Sequence, residues 1–237
     1  MESQLARRGE RDPASIQVAL LTLMLPISDE NPTKRFPIVT VLLILANVAV
    51  FFAWQVQVGL PRSVALAGLI PTELKPVSLP GVEHLFTSMF LHGGIAHLLG
   101  NMWFLWIFGD NVEDEIGRIK FVILYLLSGI AGAAAHVMLS APSKMPLVGA
   151  SGAISGVLGA YLVLHPKAQV KMFAGIWLFR LPAWFYLLFW IGLQILALSV
   201  AKDVAGLRVA YWAHIGGFVA GMFLSIFVTP RQNPKDF

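Results

Sequence analysis

The chain has 237 residues, of which 57% are hydrophobic and only 13% charged, with a net charge of +4 and a mean hydropathy of +0.73. Soluble domains carry about 25% charge, so this composition points to a polytopic membrane protein. Cysteine is absent, which excludes disulfides, thiolate nucleophiles and cysteine-ligated metals, and the basic residues are too scattered to form a nucleic-acid-binding stripe.

Residues 1–13 are polar and mixed in charge, and 16–27 form a short apolar run broken by Gln17 and Pro26. No small-residue cleavage site follows, so 1–35 reads as a cytoplasmic tail or interfacial segment, with a translation start nearer Met24 as an alternative. Six apolar segments then fill a membrane domain over 36–229, and 230–237 form a second cytoplasmic tail. The first segment is 37–58. The second ends at 108 and begins between 86 and 95. The others are 119–139, 151–164, 182–200 and 209–228. The expected fold is all-α, a polytopic bundle of six transmembrane helices. A spanning helix needs about 20 apolar residues. The fourth segment has 14, roughly 21 Å at 1.5 Å per residue, too short to cross about 30 Å of hydrocarbon. A helix that stops below the surface leaves room for water above it.

Lysine and arginine counts orient the segments. Lys34, Arg35, Arg118, Lys120, Lys167, Lys171, Arg180, Arg231 and Lys235 fall on one side; Arg62, Lys75, Lys144, Lys202 and Arg208 fall on the other. The more basic side is cytoplasmic, which places both termini there. Segments two, four and six then enter from the outer face. His97, Asn101, Ser151 and His214 all lie in the first half of one of these segments, so topology brings them to one depth in the outer leaflet. Polar groups at that depth are costly and default to function.

Ser151 sits between Gly149 and Gly152, and His214 lies in Ala213-His214-Ile215-Gly216-Gly217. Serine is a weak nucleophile until a base takes its proton, and histidine is the usual base. At the start of a helix, Ser151 would also offer free backbone N–H groups to a developing oxyanion. His97 and Asn101, four apart, share a helix face and can both donate hydrogen bonds. The segment of His214 contains no carboxylate, and Asp203, upstream in a loop, is a poor partner, so a dyad is expected rather than a triad. Gly152 and Gly156 are four apart, as are Gly217 and Gly221. If these small-residue faces meet, Ser151 and His214 meet at the top of the contact.

The alternatives are weaker. No His-Glu-x-x-His pattern supports a zinc protease, intramembrane aspartates are missing, and no internal repeat suggests a transporter. His84, His136 and His165 read as structural or loop histidines. Asp110, Glu113, Asp114 and Glu115 read as a solvated acidic turn with a helix-capping role. Trp54, Trp184 and Trp212 read as interfacial residues.

His92-x-x-x-x-His97-x-x-x-Asn101, Gly149-x-Ser151-Gly152 and Ala213-His214-x-x-Gly217-x-x-x-Gly221 together resemble the rhomboid family of intramembrane serine proteases. The turn from Gly109 to Glu113 with Gly117, and the stretch from Met24 to Thr33, resemble its prokaryotic members. The resemblance covers about residues 24–229 and implies a six-helix bundle around a water-filled cavity open to the outer side. It implies Ser151 as nucleophile, His214 as base, and His97, Asn101 and the Ser151 N–H as oxyanion donors, with His92 supporting the first loop. The loop before His214 would cap the cavity and the fifth helix would border the substrate gate. Implied substrates are membrane-anchored proteins cut in or near a transmembrane segment, after a small residue. No cofactor and no metal are implied, and the oligomeric state is open. A prokaryotic cytoplasmic membrane is the expected location. The chain departs from some members in carrying Ser155, where they have an aromatic residue stacked on the base, and in lacking a tryptophan between Gly59 and Leu91. Ser155 either leaves the base differently positioned or hydrogen-bonds it. The rival function is a catalytically inactive relative that binds membrane proteins.

Overall fold

The computed structural model of the chain describes residues 25–74, 78–140, 144–200 and 210–228. Most of the expected tails, the basic residues Lys75, Lys202, Arg208, Arg231 and Lys235, Asp203, and most of the loop before His214 lie outside these. A strand, β1 (Leu25–Asp29), precedes helix α1 (Ile38–Val58), whose stretch Val50–Gln55 is wound as a π-helix. Two short helices, α2 (Leu60–Ala67) and α3 (Leu79–Thr87), lead into α4 (Ile95–Ile116). Then come α5 (Arg118–Leu139), α6 (Ser151–Leu164), strands β2 (Gln169–Ala174) and β3 (Trp177–Pro182), α7 (Ala183–Val200) and α8 (Tyr211–Val228).

Each expected apolar segment forms a helix, because an apolar run in a membrane must satisfy its backbone internally. Among the described residues, Ile38–Val58, Arg118–Leu139 and Tyr211–Val228 are long and apolar enough to cross a bilayer. Helix α6 covers 151–164 as the sequence predicts, and Gly152 through Leu162 are all buried. A helix that is apolar all round belongs at the centre of a bundle. Glycines let its neighbours approach closely. A Cβ on Gly217 would lie 2.0 Å from the Gly152 carbonyl oxygen, and one on Gly221 would lie 1.9 Å from that of Gly156. The two glycine faces therefore meet, backbone against backbone. Between membrane helices, dispersion at close contact takes over from the hydrophobic effect as the source of cohesion.

The expectation of an all-α chain is corrected by a three-stranded antiparallel sheet, ordered β1-β2-β3. Lys171 pairs with Arg180 and Met172 with Phe179, and Ala174 pairs with Trp177 across a two-residue turn. Gly175 takes φ 65° in that turn, a value glycine tolerates better than any other residue. Val170 and Met172 are fully buried under the bundle, while Lys171, between them, pairs with Glu30. The alternation is clear in 169–174, but a basic connection between two apolar segments masks it.

The acidic stretch 110–115 is also corrected. It continues α4 as helix instead of forming a solvated turn. Helix α1 follows Pro37, which offers no side-chain cap. Glu113 supplies one from a neighbouring helix: it accepts from Val39 N at 3.0 Å, Thr40 N at 2.8 Å and Thr40 Oγ1 at 2.9 Å. Its carboxylate thereby answers the unpaired N–H groups and positive end of α1, so its 3% exposure leaves no orphaned charge.

Among the described residues, several basic side chains lie at one end of the bundle. Arg180 and Lys171 flank Glu30 at 2.8 and 3.3 Å, and Lys120 Nζ donates to the Val228 carbonyl at 2.8 Å. The first residue of α6, Ser151, lies at the opposite end of that helix.

Candidate active site

Ser151 opens α6, and the backbone before it is shaped by Gly149. That residue takes φ 125°, and a Cβ there would lie 2.8 Å from both Cε1 and Nε2 of His97. Glycine thus does two things at one position: it makes the turn into α6 and it admits the His97 ring beside the serine. The Gly149 N–H is held by the Ser88 carbonyl at 2.9 Å.

His214, the fourth residue of α8, reaches across the glycine contact. Its Nε2 lies 2.8 Å from Ser151 Oγ. The serine hydroxyl is the donor when Nε2 is unprotonated, so the proton of a neutral ring sits on Nδ1. That atom faces Gln194 Oε1 at 2.8 Å. Gln194, on α7, is 3% exposed. Trp190, one turn earlier, lies beside the same ring, with centroids 6.0 Å apart and planes inclined at 33°. Ser155 does not hydrogen-bond the base: its Oγ donates to the Ser151 carbonyl at 2.6 Å, a back-bond within α6.

The first loop is built on His92, which is fully buried. Gln55, in the π-helical stretch of α1, accepts from the His92 N–H at 2.8 Å and donates to the His92 carbonyl at 3.1 Å. The His92 Nε2 accepts from the Asn101 amide at 2.9 Å. The Gly93 N–H reaches His97 Nδ1 at 3.4 Å, a contact that favours the tautomer with its proton on Nε2, the side of the ring that faces Gly149. The two rings meet edge to face at 5.1 Å.

The structure thus brings Ser151, His214, Gly149 and His97 together, with Asn101 joined through His92. Gly152 and Gly217 lie directly beneath, and Gly221 meets α6 one turn further down. A cavity of about 20 Å³ borders Ser151, Gly152 and Ala213 and extends to Met89 and Gly129, room for about one water molecule. A larger apolar groove of about 460 Å³ runs between α5 and α8 past Ala135, Gly216 and Phe223, and has no titratable residue in its lining. Among the described residues, no cluster of three His, Asp or Glu is arranged to hold a metal. Of the histidines read as structural, His84 pairs with Glu73 at 2.8 Å and His136 with Ser140 at 3.1 Å.

Sequence reasoning missed Gln194 and Trp190. A signal existed: Gln194 is the one amide in α7, which carries no charge at all. A lone amide in an apolar helix merits the same suspicion as a lone histidine.

A family model described as the Rhomboid domain matches residues 80–231. The chain is 32% identical to the rhomboid protease GluP of Bacillus subtilis over 212 residues, 86% of this chain and 38% of that protein. It is 30% identical to the mitochondrial rhomboid protein 1 of Saccharomyces cerevisiae over 192 residues, 77% of this chain and 51% of the relative. The RHOMBOID-like protein 1 of Arabidopsis thaliana is 30% identical over 165 residues, 66% of this chain and 39% of the relative. The chain therefore spans between about two fifths and half of the length of these relatives.

Proposed function

The chain belongs to the rhomboid family and is an integral membrane protein, and from that premise we propose that it is an intramembrane serine endopeptidase acting on membrane-anchored proteins. The observation that carries the proposal is the 2.8 Å contact between Ser151 Oγ and His214 Nε2, made between the first turns of two helices whose backbones touch.

In the proposed reaction, Ser151 Oγ attacks the scissile carbonyl carbon as His214 Nε2 takes the hydroxyl proton. The carbonyl oxygen gains negative charge next to the Ser151 N–H and the His97 Nε2–H. Asn101 has two amide N–H groups; with one held by His92 Nε2, the other serves the oxyanion. Collapse of the intermediate breaks the C–N bond, and His214 returns its proton to the leaving amine. Water then adds to the acyl-serine with His214 again as base, releasing the new carboxyl end. The small cavity beside Ser151 suits a small side chain on the residue before the cut. GluP is called a rhomboid protease, which supports assigning the same class of reaction to this site.

The proposed topology has six spans, with both termini and the sheet on the cytoplasmic side and Ser151 toward the outer leaflet. It is supported by the basic residues gathered around the sheet and by the 14 residues of α6, a span completed only by its neighbours. The membrane proposed is a prokaryotic cytoplasmic one, in keeping with the bacterial relative.

Purified protein in liposomes with a transmembrane-segment substrate tests the function. Cleavage by the wild type, lost in Ser151→Ala, together with fluorophosphonate labelling of Ser151, is the expected result. No cleavage across several substrates, and no labelling, would leave the inactive binding relative as the better reading.

A further inference from the structure

Three features of the structure meet at the far side of the His214 ring. Nε2 is committed to Ser151. Nδ1 therefore carries the proton of the neutral ring, and a buried N–H without an acceptor is costly. Gln194 Oε1 stands 2.8 Å from it. The amide orientation is fixed by the same logic: turned over, its NH₂ would face the Nδ1–H, donor against donor. Along α7, Ala183, Leu187, Trp190 and Gln194 are all buried, at spacings of four, three and four. Gln194 thus lies in the inward stripe of the helix, while Leu188, Ile195 and Leu196 are at least half exposed on the outer one.

Resting on the protease reading above, we infer that Gln194 is the positioning residue of the base, a neutral third member that holds the His214 ring in the tautomer and rotation Ser151 requires. Its chemistry suits its place. A carboxylate would orient the ring equally well, but an ion buried at bilayer depth carries a large desolvation cost. An amide oxygen accepts the Nδ1–H with no net charge. Gln194 comes from α7, so the orientation of the base depends on that helix being seated. Trp190, one turn away on the same stripe, limits ring rotation from the side.

Kinetics with full-length protein in liposomes, measured from acid to alkaline pH, test this with Gln194→Met, Gln194→Asn and Gln194→Glu beside the wild type and Ser151→Ala. Methionine keeps the volume but is a poor acceptor, and asparagine keeps the amide but is one methylene short. Both are expected to lower kcat about 10- to 100-fold with KM changed by less than about twofold. Glutamate restores an acceptor at the right reach. Its kcat should stay within about threefold of wild type, with the acidic limb moved to higher pH, because a nearby carboxylate stabilises imidazolium. A purely structural role would shift the melting temperature of these variants without separating glutamate from methionine in kcat or in the acidic limb. If Gln194→Met does not fold, the comparison of Gln194→Glu with Gln194→Asn decides. Wild-type kcat and an unchanged acidic limb in every folded variant, with Ser151→Ala inactive, overturn the inference and leave the protease reading standing. A wild type that neither cleaves nor labels removes both.

Discussion

The two ends of α6 handle buried polarity in opposite ways. At its start, Ser151, His214 and Gln194 form one chain of hydrogen bonds and Asn101 and His92 another, with the His97 ring packed edge to face on His92. Among the described residues, no carboxylate lies within hydrogen-bond distance of any of them. At its other end the partners are charged. Tyr161 donates to Asp29, which also accepts from Asn111 at 2.9 Å. One residue on, Glu30 is gripped by Arg180 and Lys171. Burial pushes the Asp29 carboxyl above its ordinary value against the opposing pull of Tyr161, whereas the Arg180 guanidinium holds the exposed Glu30 carboxyl below its own. Neighbouring carboxylates thus shift in opposite senses according to solvent and partner. The charged end fixes the segment from β1 to α1 and the sheet. In the proposed reaction one proton moves at the other end, and a fixed charge nearby would bias where it sits.

This contrast predicts that substitutions at the two ends separate activity from stability. The largest effect on turnover should come from Ser151→Ala and His214→Ala. Either is expected to reduce cleavage by at least about a thousandfold while leaving the melting temperature in detergent close to wild type. A parallel loss of folding would mean that the pair serves mainly as an interhelical hydrogen bond. Gly221→Val should act on stability as strongly as those act on activity. Its side chain would have to occupy the space of the Gly156 carbonyl, forcing α6 and α8 apart, and overpacking of this kind costs at least about 1–3 kcal/mol. Size-exclusion profiles and thermal unfolding in detergent check it, and a monodisperse wild-type-like protein would show that the contact can open without penalty.

Asn101→Ala sits between these extremes. Loss of one oxyanion donor should lower kcat by roughly 10²-fold with little change in KM. Since Asn101 also holds His92, a small loss of thermal stability should accompany it. Equal cleavage by variant and wild type would remove Asn101 from the oxyanion role. The smallest effect expected is Glu113→Ala at the charged end. Without its acceptor oxygens the start of α1 loses its cap, at a cost of about 1–2 kcal/mol, read by chemical or thermal unfolding. Cleavage per folded molecule should be unchanged. A large drop in kcat there would mean that the two ends are coupled through α4.

Much of this molecule was legible because its signals are local. The 14 residues of α6, the helix starts near 38, 118 and 183, and the glycine pairs at spacing four all follow from runs and periods that a chain carries wherever its neighbours are. Lys120, Lys171 and Arg180, which the sequence analysis put on one side, lie at one end of the bundle. The sheet was less legible. The alternation of Val170, Lys171 and Met172 is short, and β1 lies about 140 residues away in a segment that has little strand signature without its partner.

What the sequence determined by itself was where the apolar helices run and which polar residues fall near their starts, since hydrophobic length and the cost of buried polarity do not depend on which helices are neighbours. What only the tertiary structure decided was rotation about each helix axis. An almost wholly apolar helix such as α7 has no polar face to show which way it turns, so nothing in its pattern reveals that Gln194 and Trp190 face His214. For Glu113 the sequence suggested a helix-capping role, and the structure decided that the helix capped is α1, which begins beside it. Those pairings come from close packing across helices, such as the backbone-to-backbone glycine contact that sets the distance between α6 and α8.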